Sequence, residues 1–196
     1  MLWVGAKLLF RLRFRGQSEV PMRGPLVLLS NHQSHLDPPL VGGALRRQLS
    51  YMARDTLFRG PLGPLIRSYD AIPVDRDGTG LAGIRNTLKR IKEGGAVLLF
   101  PEGTRSDDGA LKPIKPGFIA LARRGKATIL PLGLDGPYRA WPKGARLPRP
   151  FVPIALVVGE PLSPERIAEL DDDELLAEVA RRMAAAREQA VDLNRR

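Results

Sequence analysis

The chain holds two histidines, His32 and His35, and both fall in the segment NHQSHLDP, which also carries Asp37. A histidine oriented by a carboxylate can act as a general base. The carboxylate accepts one ring N–H, fixes the tautomer and stabilises the imidazolium that forms. The spacing of His32 and Asp37 allows this pairing only if the chain turns. In an uninterrupted helix, side chains five residues apart point about 140° away from each other. In an extended strand they lie roughly 16 Å apart. Pro38 and Pro39 follow Asp37. A residue before proline avoids helical angles, and proline suits the first helical position. Residues Asn31 to Asp37 are therefore expected to fold back at a strand-to-helix junction, where α/β sheets commonly place their sites. On these residues alone, Asp37 could equally be a plain helix N-cap and His32 a satisfied turn histidine. His32, His35 and Asp37 lack a further ligand cluster, so no metal is expected.

A second segment reads FPEGTRS, from Phe100 to Ser106. Pro101 ends a strand ladder. Gly103 permits close backbone approach, and Thr104, Arg105 and Ser106 offer donors. Arg105 can grip a phosphate in bidentate fashion. The alternative is a polar turn continued by Asp107, Asp108 and Gly109. Further on, Lys115 stands beside Pro116 at an expected helix N-terminus, a natural place for an anion.

The elements that must position these segments alternate. Leu26 to Ser30, Leu49 to Ala53, Ala71 to Val74, Ala96 to Phe100, Ala127 to Leu132 and Pro153 to Val158 are short apolar runs, which read as buried strands. Leu81, Ile84, Leu88 and Ile91 recur at helical spacing before Gly94. Gly117 to Arg124 reads as a helix closed by Gly125. A C-terminal helix is expected to start near Asp171, Asp172 and Asp173, acids that suit a positive helix N-terminus. Gly136 to Pro150, rich in Pro and Arg, reads as a long surface loop. The pattern predicts an α/β fold: one domain over 1–196, with a mixed central sheet flanked by helices. Residues 1–16 (MLWVGAKLLFRLRFRG) fit a short basic amphipathic helix, either in a membrane interface or packed on the core.

Composition bounds the chemistry. The 196 residues contain no cysteine, which excludes a thiolate nucleophile and a disulfide scaffold. No apolar run approaches the ~20 residues of a membrane-spanning helix. The net charge is +10. From Glu160 onward, 10 acidic residues face 6 basic ones, leaving 25 basic and 11 acidic residues in 1–159. That excess points to an anionic partner such as nucleic acid, an anionic membrane or a phosphorylated substrate. Arginine-rich composition is the plain alternative. Aromatic content of 6% and the lack of a Gly/aromatic RNA-binding signature argue against nucleic acid.

Taken together, the blocks resemble the glycerolipid acyltransferase family, which includes the 1-acylglycerol-3-phosphate (lysophosphatidic acid) acyltransferases. The family's His-x4-Asp block is matched by His32 and Asp37, with Asn31 and Ser34 also in place. Its second block, an apolar stretch ending in arginine, is matched by AIPVDR and Arg76. FPEGTRS matches its third block at all seven positions. ATILPLGL, with Pro131, matches its fourth. The matching core runs over 24–162, and 163–196 is a C-terminal helical segment outside it.

The resemblance implies transfer of a fatty acyl group from acyl-CoA or acyl-carrier protein to the free hydroxyl of lysophosphatidic acid. It makes His32 the general base and Asp37 its orienter, with no cofactor. Arg76 and Arg105 would bind the acceptor phosphate, with Gly103 and Thr104 shaping that pocket. Glu102 would either orient the acceptor or tie the loop to the first block. Lys115, Asn31 and Ser34 would support the site, and His35 would lie at the surface or pack. The implied partners are a lysophospholipid acceptor, an acyl thioester donor and an anionic membrane surface, with the protein peripheral on the cytoplasmic face. Another lysophospholipid, a lyso-aminolipid or a glycolipid could replace the acceptor. A non-catalytic basic membrane- or nucleic-acid-binding module is the remote alternative.

Overall fold

The apolar runs between Gly, Pro and charged residues form the sheet that carries the site. In the computed structural model, residues 9–58, 63–68, 70–74 and 81–196 are described. Seven strands are β1 (Arg13–Arg15), β2 (Leu26–Ser30), β3 (Leu49–Arg54), β4 (Ala71–Val74), β5 (Ala96–Leu99), β6 (Thr128–Asp135) and β7 (Ala155–Val158). They form one sheet in the order β1-β7-β6-β2-β5-β3-β4. All neighbours are parallel except β6 and β7, so the sheet is mixed as expected.

Helices cover both faces. They are α1 (Asp37–Ala44), α2 (Gly63–Ser68), α3 (Leu81–Lys92), α4 (Gly117–Gly125), α5 (Pro137–Ala140), α6 (Pro164–Glu169) and α7 (Asp172–Arg195). Side chains of a strand alternate between faces, and β2 shows how this builds two cores. Val27 and Leu29 pack with Val97, Leu99, Phe118, Ile119, Val179 and Met183, beneath α4 and α7. Leu26 and Leu28 pack on the other side with Leu98, Leu130, Leu132, Val41 and Ala44, beneath α1. Every residue of β2 and β5 is buried. Each such leucine contributes about 1.5–3 kcal/mol by leaving water. The central strands are thus the rigid part of the molecule, and the two motif segments leave from their ends.

Helix α7 begins as its acids require. Asp171 accepts the Glu174 amide at 2.8 Å, and the Glu174 side chain accepts the Asp171 amide at 3.0 Å, a reciprocal capping box. The helix then lies directly on β6. A Cβ at Gly133 would stand 2.2 Å from the Ala186 carbonyl carbon, so only glycine permits this approach.

Three local expectations are corrected. The first is the helix over 1–16: residues 13–15 are strand β1, and residues 1–8 lie outside the described residues. Leu9 is helical, and the chain then turns through Phe10 and Arg11, where Arg11 takes a left-handed φ of +43°, so the helical backbone ends at Leu9, before β1. Second, β6 continues past Leu132 to Asp135, because Gly133 and Leu134 go on pairing with β7. Third, Gly136 to Pro150 is not all loop. It opens with α5, whose Pro137 and Ala140 are buried.

Candidate active site

β2 and β5 are parallel neighbours, with Leu29 opposite Leu99. NHQSHLD leaves the carboxyl end of β2, and FPEGTRS leaves the carboxyl end of β5. The two segments must therefore emerge side by side, at the edge where α/β sheets build sites. The chain turns after β2 as Pro38 and Pro39 require, and α1 begins at Asp37 with proline in its first turn.

That turn brings His32 and Asp37 together. His32 Nδ1 lies 2.7 Å from Asp37 Oδ2. The same oxygen accepts the amides of Gln33 at 2.6 Å and Ser34 at 2.8 Å. Asp37 is fully buried, so these donors hold it in one orientation. Its other oxygen, Oδ1, is buried with no hydrogen-bond partner among the described residues. Because a carboxylate accepts, the tautomer that this contact favours in a neutral imidazole has its hydrogen on Nδ1 and its lone pair on Nε2. The His32 ring stacks on Phe100, with centroids 4.0 Å apart and planes 17° apart. The imidazole is thus fixed at its edge by Asp37 and on its face by Phe100.

Glu102 locks the two segments to each other. It is buried, and its Oε1 accepts the His32 amide at 2.6 Å, while Oε2 accepts the Lys112 amide at 2.9 Å. Both oxygens are engaged with backbone, so the carboxylate ties the loop to the first block and holds His32 in place. Burial raises Glu102 above the ordinary carboxylate range, and the amide bonds from Lys112 and His32 oppose that rise. The Ser106 amide donates to the His32 carbonyl at 2.7 Å, a second tie.

Pro101 and Ser106 of FPEGTRS are buried, and the three residues between Glu102 and Ser106 lie nearer the surface. Gly103 and Thr104 are exposed and Arg105 is half-buried. Gly103 has φ +74°, a left-handed backbone that glycine adopts freely, and the Lys115 ammonium would lie 3.3 Å from a Cβ there. Lys115 itself is exposed and donates its amide to the Pro101 carbonyl at 2.9 Å. Arg105 is near enough to His35 to help hold that imidazole below its ordinary value. Desolvation is the larger cause, Arg105 and His32 add to it, and Asp37 opposes. His35 is exposed and meets the Trp141 ring edge-on at 5.7 Å. Arg76 lies outside the described residues.

The supporting residues fasten the turn to the sheet. Asn31 donates to the Leu134 carbonyl at 2.9 Å and accepts the Leu134 amide at 2.7 Å, joining the end of β2 to β6. Ser34 Oγ donates to the Trp141 carbonyl at 2.9 Å. Sequence reasoning missed Phe100 as a platform for His32, although it opens the FPEGTRS block. It also missed Gln33, which is buried and donates to the Gly109 carbonyl at 2.7 Å. Among the described residues, no group of three or more His, Asp or Glu side chains could hold a metal ion.

An oriented base, with arginine and lysine at its rim, can deprotonate a hydroxyl on a molecule that carries a negative group. A family model described as Acyltransferase matches residues 11–135. A 1-acyl-sn-glycerol-3-phosphate acyltransferase of Bacillus subtilis is 32% identical over 166 residues, covering 82% of this chain and 78% of that protein. An N-acylphosphatidylethanolamine synthase of Arabidopsis thaliana is 33% identical over 159 residues, covering 70% of this chain and 56% of that protein. The crystal structure of the 1-acyl-sn-glycerophosphate acyltransferase of Thermotoga maritima superposes with a TM-score of 0.78 at 26% identity, covering 94% of this chain and 73% of that one. The fold, the two motif segments and the family match converge: the chain belongs to the acyltransferase family.

Proposed function

We propose that the protein transfers a fatty acyl group from an acyl thioester, acyl-CoA or acyl-carrier protein, to the free hydroxyl of lysophosphatidic acid, giving phosphatidic acid. The observation that carries this reading is the 2.7 Å His32–Asp37 pair, set beside the Arg105 loop by the Glu102 bridge. His32 Nε2 takes the acceptor hydroxyl proton as the oxygen attacks the thioester carbonyl carbon. Asp37 stabilises the imidazolium that forms. The carbon–sulfur bond then breaks, and the departing thiolate takes the proton back from Nε2. No acyl-enzyme is required, in keeping with a chain that lacks cysteine. Base catalysis of this kind contributes about 10²–10⁴-fold. Backbone N–H groups of the two motif segments would serve the thioester oxyanion.

Arg105, with Arg76, grips the acceptor phosphate, while Gly103 and Thr104 shape the approach. The protein works at the surface of an anionic membrane, peripheral on its cytoplasmic face. No helix among the described residues is long and apolar enough to cross a bilayer. The test is acyl transfer by the purified protein with acyl-CoA and lysophosphatidic acid. Arg105→Ala is expected to raise KM for phosphate-bearing acceptors by about tenfold or more, the scale of one charge-assisted contact. An unchanged KM would place the phosphate elsewhere. A second reading keeps the chemistry and changes the acceptor to another lysophospholipid, a lyso-aminolipid or a glycolipid. The similarity to a protein named N-acylphosphatidylethanolamine synthase favours including such acceptors in the assay.

A further inference from the structure

Beside the His32 turn lies a surface that the chemistry does not use. Residues 136–151 (GPYRAWPKGARLPRPF) contain four basic residues and no acid. Their chain is pinned at several points. The Trp141 carbonyl accepts Ser34 Oγ, the Arg149 amide donates to the Ala140 carbonyl at 2.7 Å, and the Phe151 amide donates to the Leu9 carbonyl at 2.6 Å. The last bond lays this loop against the N-terminal segment. There Phe10 and Leu12 turn inward to pack with Leu40, Ala140 and Ile154, while Leu9 and Arg11 face out.

The result is an apolar edge with a cationic border. Leu147 is 78% exposed, Phe151 62% and Leu9 38%. Arg11, Arg146 and Arg149 are exposed around them. Large apolar side chains held out in water by an ordered loop mark an interaction surface. Phe151 is held there at φ +62°, a left-handed conformation unfavourable for a bulky residue.

We propose that Leu9, Leu147 and Phe151 dip into a lipid bilayer while Arg11, Arg146 and Arg149 meet its anionic headgroups. Charge complementarity selects this occupant: the exposed charged residues flanking these tips in the chain are Arg11, Arg146 and Arg149, while Lys143 of the same loop is paired with Asp107, and apolar tips beside arginines match the boundary between acyl chains and phosphates. The surface shares Trp141 with the catalytic turn, through Ser34 and His35. Docking would therefore bring the mouth of the His32 site to the layer in which a lysolipid resides. That consequence rests on the acyl-transfer reading, but the docking itself does not.

The test is co-sedimentation of the full chain with vesicles of phosphatidylcholine, with and without phosphatidylglycerol, so that binding is read without turnover. The double variant Leu147→Ser, Phe151→Gly removes both apolar tips, and glycine relaxes the left-handed backbone. It is expected to keep the wild-type circular dichroism spectrum and its turnover on detergent-dispersed substrate, yet lose at least about tenfold in vesicle partitioning. Arg146→Gln with Arg149→Gln is expected to lose about fivefold per arginine on phosphatidylglycerol vesicles and nothing on neutral ones. Wild-type partitioning by the apolar variant overturns the proposal. It is also overturned if the arginine variant binds vesicles normally and loses binding to acidic acyl-carrier protein, because the surface then belongs to the donor's carrier.

Discussion

The backbone amide of His32 donates to Oε1 of Glu102 at 2.6 Å, across 70 residues of chain. This one bond joins the end of β2 to the loop after β5. The other oxygen of the same carboxylate takes the Lys112 amide. Replacing Glu102 by Gln turns one acceptor into an NH₂ group that faces an N–H donor. Glu102→Gln is expected to cost about 1–3 kcal/mol of stability, the scale of a stranded buried polar group. It should also lower kcat, because the backbone of the base moves. Urea denaturation and steady-state kinetics check both. A variant with wild-type stability and kcat would show that the bridge positions nothing.

Asp37 has a sharper role. Its Oδ2 holds the His32 ring and two backbone amides together. Asp37→Asn keeps the shape and removes the charge that stabilises imidazolium. It can also present an NH₂ group to Nδ1 and so favour the wrong tautomer. Turnover should fall by about 10²–10⁴-fold with little change in acceptor KM. A drop confined to KM would argue that Asp37 acts on binding and not on the base.

The pH dependence of stability offers an independent check on the rim. Desolvation and Arg105 hold His35 below the ordinary histidine value of about 6.5. On acidification the unfolded chain therefore takes up this proton first. Stability must fall as pH drops through 6.5 toward the folded-state value, and level off below it. His35→Asn removes that contribution, so its melting temperature should depend less on pH between about 8 and about 5. An unchanged slope would mean that neither burial nor Arg105 shifts the titration of His35.

Much of this architecture was legible because the central strands are buried on both faces. LVLLS and AVLL admit no reading except a covered strand, and all of their residues are buried. The His32–Asp37 turn was legible through Pro38 and Pro39, which forbid the straight conformations that would keep the pair apart. Strand β1 was not, because Phe10, Leu12 and Phe14 alternate for only a few residues next to a run that suits a helix. The Asn31–Leu134 and Gln33–Gly109 bonds were also illegible: each joins residues far apart in sequence, and only the strand order brings them together. The acidic tail, puzzling as sequence, has a local explanation. Asp171 and Glu174 cap α7, and Glu178 pairs with Arg181 and Arg182 along it.

The central claim is that His32 abstracts the acceptor proton, and acyl transfer from acyl-CoA to lysophosphatidic acid by His32→Ala tests it most directly. His32 is partly exposed, and its ties to Glu102 and Ser106 run through backbone atoms that alanine retains. The variant should therefore stay folded, with a wild-type circular dichroism spectrum, and lose nearly all turnover, by about 10²–10⁴-fold. A folded His32→Ala protein that turns over at the wild-type rate would contradict the account.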